Sequence, residues 1–274
     1  MRIPLKMAVP LALALALAAA LPARAAQDQV PFVVPDPASV PKGAVGEAIL
    51  RGKALLSDTR KLLPGNVGNG LNCTNCHLNG GTVPYASPWV GLTAAFPEYR
   101  ARSGKVISLQ ERVNDCFQRS MNGKPLAPDS GEMNDILAYM KWLSTGVPVG
   151  HDVAGRGFEK IDTALVPDSK HGAALYAAQC ASCHGAEGQG MPNPAGGYVF
   201  PPVWGKDAFN VGAGMARLYT AAAFVKHNMP LGQGGTLSAQ DAVDVAAYFT
   251  QQPRPDYAAR AKDWPLGGKP KDAR

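Results

Sequence analysis

The chain has 274 residues, 46% hydrophobic and 18% charged, with 27 Lys and Arg against 21 Asp and Glu for a formal net charge of +6. That length suits two ordinary domains, and so small an excess of charge does not mark the whole surface as a face for polyanions. No nucleic-acid-binding motif is present, which excludes DNA or RNA as the evident partner.

Residues 1–25 read as a secretory signal peptide. Arg2 and Lys6 precede an apolar run, Met7–Leu21, and Ala23-Arg24-Ala25 supplies a small-x-small cleavage pattern. The run is short for a spanning helix, which needs roughly 20 residues. Cleavage after Ala25 leaves 249 residues and, with Arg2, Lys6 and Arg24 gone, a net charge of +3. The expectation is export to the periplasm, with no membrane span after cleavage.

The apolar spacing of Val45, Ile49, Leu50, Leu55 and Leu56 predicts a helix over residues 45–63. It leads into Cys73-Thr74-Asn75-Cys76-His77, and a second pentapeptide of the same form, Cys180-Ala181-Ser182-Cys183-His184, follows 107 residues later. C-x-x-C-H is the attachment signature of a c-type haem, in which both cysteines bond the porphyrin and the histidine ligates the iron. A zinc site would need a second Cys or His pair at matching spacing, and a redox dithiol does not call for the histidine. The cofactors expected are therefore two covalently bound haem c groups, with Cys73, Cys76, His77, Cys180, Cys183 and His184 as their attachment residues.

Between the motifs, Arg100–Lys124 holds six cations (Arg100, Arg102, Lys105, Arg112, Arg119, Lys124) against Glu111 and Asp115. Within it, Ser108–Arg119 reads as a helix opened by a Ser108/Glu111 capping box. Leu109, Val113, Cys116 and Ser120 fall on one of its faces, with Arg112 and Arg119 bracketing Cys116. A small cysteine on a packing face is an ordinary finding. An unpaired thiol in an oxidising compartment flanked by guanidiniums instead favours a thiolate, the form that ligates metal and attacks sulfur. Cys116, 43 residues past Cys73, is thus the expected second ligand of the first haem, with Met121 and His151 behind it. The surrounding arginines suit a small dianion.

Ile136–Tyr139 belongs to a closing helix. Residues 147–167 read as a linker, residues 169–179 as a helix before the second motif, and Ser238/Asp241 as the capping box of a second closing helix that contains Val245–Tyr248. The glycines at 185, 188, 190, 196 and 197 lack the Gly-Lys-Ser/Thr of a nucleotide loop. For the second haem, Met191, Met215, Met229, His171 and His227 are candidate ligands. Met229, 49 residues past Cys180, is favoured and Met215 stands second. Helix, motif, open loop and aromatic-bearing helix resemble the class I cytochrome c fold, once over residues 38–146 and again over 168–252. The fold expected is all-α, two such domains in tandem, with an extended tail over residues 253–274.

Cys73–Thr82, Ser87-Pro88-Trp89, Phe96–Gly104 and Arg112–Leu126 resemble the thiosulfate dehydrogenases, periplasmic dihaem cytochromes that join two thiosulfates into tetrathionate. The resemblance implies His77/Cys116 ligation at a catalytic haem and a pocket lined by Arg102 and Arg112, with Ser103 a further candidate. It also implies methionine ligation at the second haem. Some relatives place a lysine beside that methionine; here Asn228 precedes Met229. A small soluble acceptor, such as a cytochrome c or a high-potential iron–sulfur protein, would take the electrons from thiosulfate. The alternatives are the haem subunit of a thiosulfate-to-carrier-protein sulfur transferase and a dihaem electron shuttle.

Overall fold

The computed structural model describes residues 29–194 and 196–274, so the predicted signal peptide lies outside the described residues. Among the described residues, six helices of two turns or more carry the architecture: α1 (Ala44–Ser57), α2 (Leu109–Arg119), α3 (Gly131–Leu143), α4 (Ser169–Gln179), α5 (Leu218–Asn228) and α6 (Ala239–Gln251). Three two-stranded ladders are minor additions. Among the described residues no helix is long and apolar enough to cross a membrane.

Each half is built on one crossed helix pair. In the first, α1 lies against α3, which turns Met133, Ile136 and Leu143, all fully buried, into the core. Burial of side chains of this size stabilises by roughly 1.5–3 kcal/mol each. The contact needs glycine. A Cβ on Gly52 would stand 1.9 Å from the Asp135 carbonyl oxygen. The second half repeats this where α4 crosses α6, and a Cβ on Gly172 would stand 1.9 Å from the Asp244 carbonyl oxygen. The backbones therefore touch at both crossings.

Local chemistry sets the helix starts. Ser108 Oγ accepts from Glu111 N at 3.2 Å while Ser108 N donates to Glu111 Oε2 at 2.8 Å, and the Ser238/Asp241 pair closes the same reciprocal cap. Asp168 caps α4 by accepting from Lys170 N and His171 N. The segment expected as a helix over 45–63 breaks at Asp58, and a single turn, Thr59–Leu62, follows.

Buried amides join the two halves. Asn69 Nδ2 donates to Ser120 O at 2.8 Å and across to Ala208 O at 3.1 Å. The fully buried Asn210 donates back to Gln118 O at 2.9 Å and Asn122 Oδ1 at 3.0 Å. Residues 253–274 follow an irregular path that is pinned along its length. Val211 N donates to Pro255 O (3.0 Å), Trp264 N to Arg102 O (2.7 Å) and Tyr219 N to Asp272 Oδ2 (2.9 Å).

Two outcomes follow from the helix crossings. Gly172→Ala is expected to lower unfolding free energy by at least about 2 kcal/mol, because the clash is with backbone and no side chain can yield; chemical denaturation of the holoprotein measures it. His171 on α4 sits 2.9 Å from Asp244 Oδ2, with Asp241 at 3.9 Å and Asp168 also nearby. The Asp244 hydrogen bond holds the imidazole pKa above its ordinary value. A raised folded-state pKa gives stability that is present below the unfolded value and lost as pH rises through the folded one. His171→Ala should therefore lower the melting temperature at about pH 5.5 and have a much smaller effect at about pH 8.5.

Candidate active site

Each C-x-x-C-H opens a cavity. The first is lined by Cys73, His77, Cys116 and Arg112, with Trp89, Phe117 and Met140 among its apolar walls. His77 Nδ1 donates to Ser87 O at 2.5 Å and the ring stacks on Trp89 at 4.8 Å, so its orientation is fixed and Nε2 keeps its lone pair. The second cavity is lined by Cys180, Cys183, His184, Met215 and Met229. There His184 Nδ1 donates to Pro201 O at 2.8 Å, again leaving Nε2 with its lone pair.

Other candidate ligands lie elsewhere. His171 is held by Asp244, His227 pairs with Glu159 at 2.9 Å, and Met191 is 41% exposed on a short strand. Met121 is packed in the core at 2% exposure, and His151 is absent from the first cavity's lining. Cys116 therefore shares its cavity with His77, and both second-cavity methionines share theirs with His184.

The thiols divide by environment. Burial pushes Cys73 and Cys76 up to about 12 and Cys180 to about 11. Burial also acts to raise Cys116, but the Arg112 guanidinium, donating to Sγ from 2.9 Å, and the neighbouring His77 outweigh it and bring the thiol down to about 6. The arrangement is local to α2. Arg112 is one turn before Cys116, so the helix places the guanidinium beside the sulfur.

The cations and Ser103 divide between two places. Arg102 and Ser103 do not line the first cavity. They sit in the turn between the paired strands Glu98–Arg100 and Lys105–Ile107. Arg102 reaches toward the second half, donating to Gly212 O at 2.7 Å, standing 3.9 Å from Asp263 and lying over the Trp264 ring. Ser103 Oγ turns back to Arg100 O at 3.3 Å. Arg119, the other bracketing cation, is clamped by Asp263 through bonds of 2.8 and 2.7 Å. The cations on the cavity wall are instead Arg112, Arg100 and Arg156, with Glu98 between the last two at 3.4 and 2.7 Å. Arg156 comes from the linker. Its segment is brought there when Asp152–Val153 pairs with Gln29–Val30, and no spacing in the sequence signals it.

Known proteins match this arrangement along most of the chain. A family model for the SoxA/TsdA cytochrome c domain matches residues 66–149, and one for cytochrome c oxidase, cbb3-type, subunit III matches residues 167–249. The thiosulfate dehydrogenase of Psychrobacter arcticus is 49% identical over 241 residues, covering 88% of this chain and 74% of that one. That of Allochromatium vinosum is 50% identical over 230 residues, covering 82% and 85%. This chain belongs to the thiosulfate dehydrogenase family. A solved member, the TsdBA protein of Marichromatium purpuratum, superposes with a TM-score of 0.79 at 38% identity over 83% of this chain, which spans half the length of that one.

As a thiosulfate dehydrogenase family member, the chain is an enzyme with two tandem cytochrome c domains and two covalently bound haem c groups. The donor sets fit such groups: the first cavity presents Cys73 and the second Cys180 and Cys183, each with an imidazole whose Nδ1 is already committed to a carbonyl. In this family frame the tail has a structural duty. Arg119 and Asp263 are nearly buried, with side chains 11% and 7% exposed. Asp263→Ala should cost about 3 kcal/mol, measured by denaturant unfolding, because it strands that guanidinium without its counter-charge.

Proposed function

We propose that this chain oxidises thiosulfate in the periplasm, joining two molecules into tetrathionate and passing two electrons to a small soluble acceptor, a cytochrome c or a high-potential iron–sulfur protein. The observation that carries this reading is the Arg112–Cys116 contact: a buried sulfur held toward thiolate, in one cavity with His77. His77 and Cys116 would hold the first haem and His184 and Met229 the second, with thioethers at Cys73, Cys76, Cys180 and Cys183. When bound, the haems supply two one-electron acceptors, matching the two electrons that each tetrathionate releases.

The chain's own groups do the sulfur chemistry. Arg112, with Arg100 and Arg156 on the same wall, supplies guanidinium forks that match sulfonate oxygens and hold the dianion. Its outer sulfur then faces Cys116. A bond forms between the two sulfurs as two electrons leave, giving a cysteine S-thiosulfonate. A second thiosulfate attacks that adduct at the sulfane sulfur, the Cys116–sulfur bond breaks, and tetrathionate departs with the thiolate restored. Net, two thiosulfate dianions give one tetrathionate dianion and two electrons. Arg102 and Ser103 enter this scheme on family resemblance alone, and Arg102 would have to leave Gly212 to reach the dianion. Electron exit has a short route, since Thr74, Asn75 and Cys76 of the first motif line the second cavity.

The test is an anaerobic assay of purified holoprotein with thiosulfate and ferricyanide, with tetrathionate quantified by chromatography. One tetrathionate per two electrons is expected. Fully haem-loaded protein that makes none would point to the sulfur transferase or the electron shuttle. Cys116→Ala should reduce turnover by at least about 10³-fold, as removal of a covalent nucleophile does. Arg112→Gln should lower kcat/KM by about 10²-fold, the loss of a charged contact strengthened in a buried site. Normal turnover by Cys116→Ala would rule out the thiolate route.

A further inference from the structure

A groove on the second half lies apart from both cavities described so far. Its walls come from three segments: the linker through Lys160, the start of α5 through Arg217 and Thr220, and the tail through Lys271. No residue that lines it lines either of the other two cavities.

Three cations converge in this groove without a counter-charge. Glu159 and Asp272 stand on the same walls, but each is spent elsewhere. Glu159 Oε2 pairs with His227 Nδ1 at 2.9 Å, and Asp272 Oδ2 accepts from Tyr219 N at 2.9 Å. Among the described residues, Lys160, Arg217 and Lys271 form no ion pair with them or with any other carboxylate. Arg217 carries the deficit into the wall. Its Nη2 donates to Thr220 Oγ1 at 2.7 Å, while its Nε is buried with no hydrogen-bond partner. An unpartnered buried donor forfeits about 1–3 kcal/mol. Thr220 accepts that bond, so its own hydroxyl proton is left to donate into the groove. The surroundings add to the positive field: burial first, then the Arg119 and Arg217 guanidiniums, bring Arg102 down to about 10.

The donors set the chemistry of the missing partner. A carboxylate matches the flat fork of one arginine. Here two ammonium groups and one guanidinium come from three separate segments, so charge is offered from several sides. A compact tetrahedral ion with two negative charges presents an oxygen to each. Lys160 and Lys271 are exposed, so such an ion has open access from solvent.

We propose that this groove is a second oxyanion site, in which Arg217, Lys160 and Lys271 bind a small tetrahedral dianion of the sulfate, thiosulfate or phosphate type and Thr220 donates to it. The bound ion ties linker and tail to the start of α5. That helix ends at its cap, Met229, on the wall of the second cavity, so the site sits at the far end of the element that carries this methionine. It is separate from the sulfur chemistry at the first cavity and does not depend on it.

The experiment is equilibrium dialysis of radiolabelled sulfate against holoprotein at constant ionic strength, with chloride making up the balance so that screening does not vary. Wild type, Arg112→Gln, Arg217→Gln and the Arg112→Gln/Arg217→Gln double variant are compared, which keeps anion binding in the first cavity apart from binding in the groove. Arg112→Gln should retain one sulfate per chain. Adding Arg217→Gln should weaken that binding by at least about tenfold, as loss of one charged hydrogen-bonding group does. Arg217→Gln alone should leave thiosulfate oxidation with ferricyanide unchanged. If Arg217→Gln does not accumulate with both haems, Lys160→Gln/Lys271→Gln at the exposed positions decides in the Arg112→Gln background by the same tenfold criterion. Release of the label by thiosulfate at concentrations where inorganic phosphate fails would identify a sulfur oxyanion as the occupant, and the reverse order would identify phosphate. No sulfate bound to Arg112→Gln, or equal binding with and without the groove substitutions, would overturn the assignment. Loss of turnover in Arg217→Gln would also overturn it, by placing the groove in the catalytic path.

Discussion

The close approach of helix backbones at Gly52 and Gly172 is the constraint on which the remaining structure depends. With each pair seated carbonyl against Cα, the motif that follows the first helix and the loop that precedes the second are held at fixed separation. The cavity between them then sets one histidine against an apolar wall, to which the first half adds Cys116 and the charged side chains of Glu98, Arg100, Arg112 and Arg156. Small helical domains have little apolar surface to spare, so a cavity of this kind suits a fold whose cofactor completes its core. The duplication explains why both halves reach the same solution with different residues. Tyr139 anchors the first motif's loop by donating to Gly80 O at 2.9 Å, whereas Tyr176, on the opposite helix of its pair, donates to Gly185 O at 2.8 Å.

Within that frame the two cavities diverge through electrostatics. Burial raises the Cys73, Cys76 and Cys180 thiols, and at Cys116 the same burial strengthens the attraction of Arg112 by excluding water. The balance falls to the charge because the guanidinium is one helical turn away and donates directly to sulfur. The second cavity offers methionines, and no charged side chain lines it. One cavity holds a sulfur drawn toward thiolate, and the other holds thioether sulfurs.

The parts of the chain with the least regular structure connect these cavities to the rest. The linker delivers Arg156 and Gly157 to the first cavity, and the tail supplies Asp263 to the Arg119 and Arg102 guanidiniums before ending near Tyr219. Asn69 and Asn210 satisfy backbone groups of the opposite half in a buried seam, where an unpaired polar group is expensive. These bonds tie the halves to each other, and the cations split between two uses. Arg100, Arg112 and Arg156 line the cavity that holds Cys116, while Arg102 and Arg119 bond to the second half and the tail.

The sequence alone carried everything whose chemistry is local. C-x-x-C-H places two thiols and an imidazole within one turn, the Ser108/Glu111 and Ser238/Asp241 boxes start helices within four residues, and Arg112 meets Cys116 because both ride α2. These depend on short-range geometry that the backbone repeats everywhere. Tertiary structure decided which cations line the first cavity. Arg100 and Arg102 are two residues apart at the end of a hairpin, and only the packing of that hairpin sends one to the cavity and the other to Asp263, 161 positions later. Arg156 sits in a stretch without periodicity, and Asp263 in one that reads as a loose tail. Their partners come from distant segments, and contacts of that range leave no spacing in the sequence, since they are chosen by how whole elements pack.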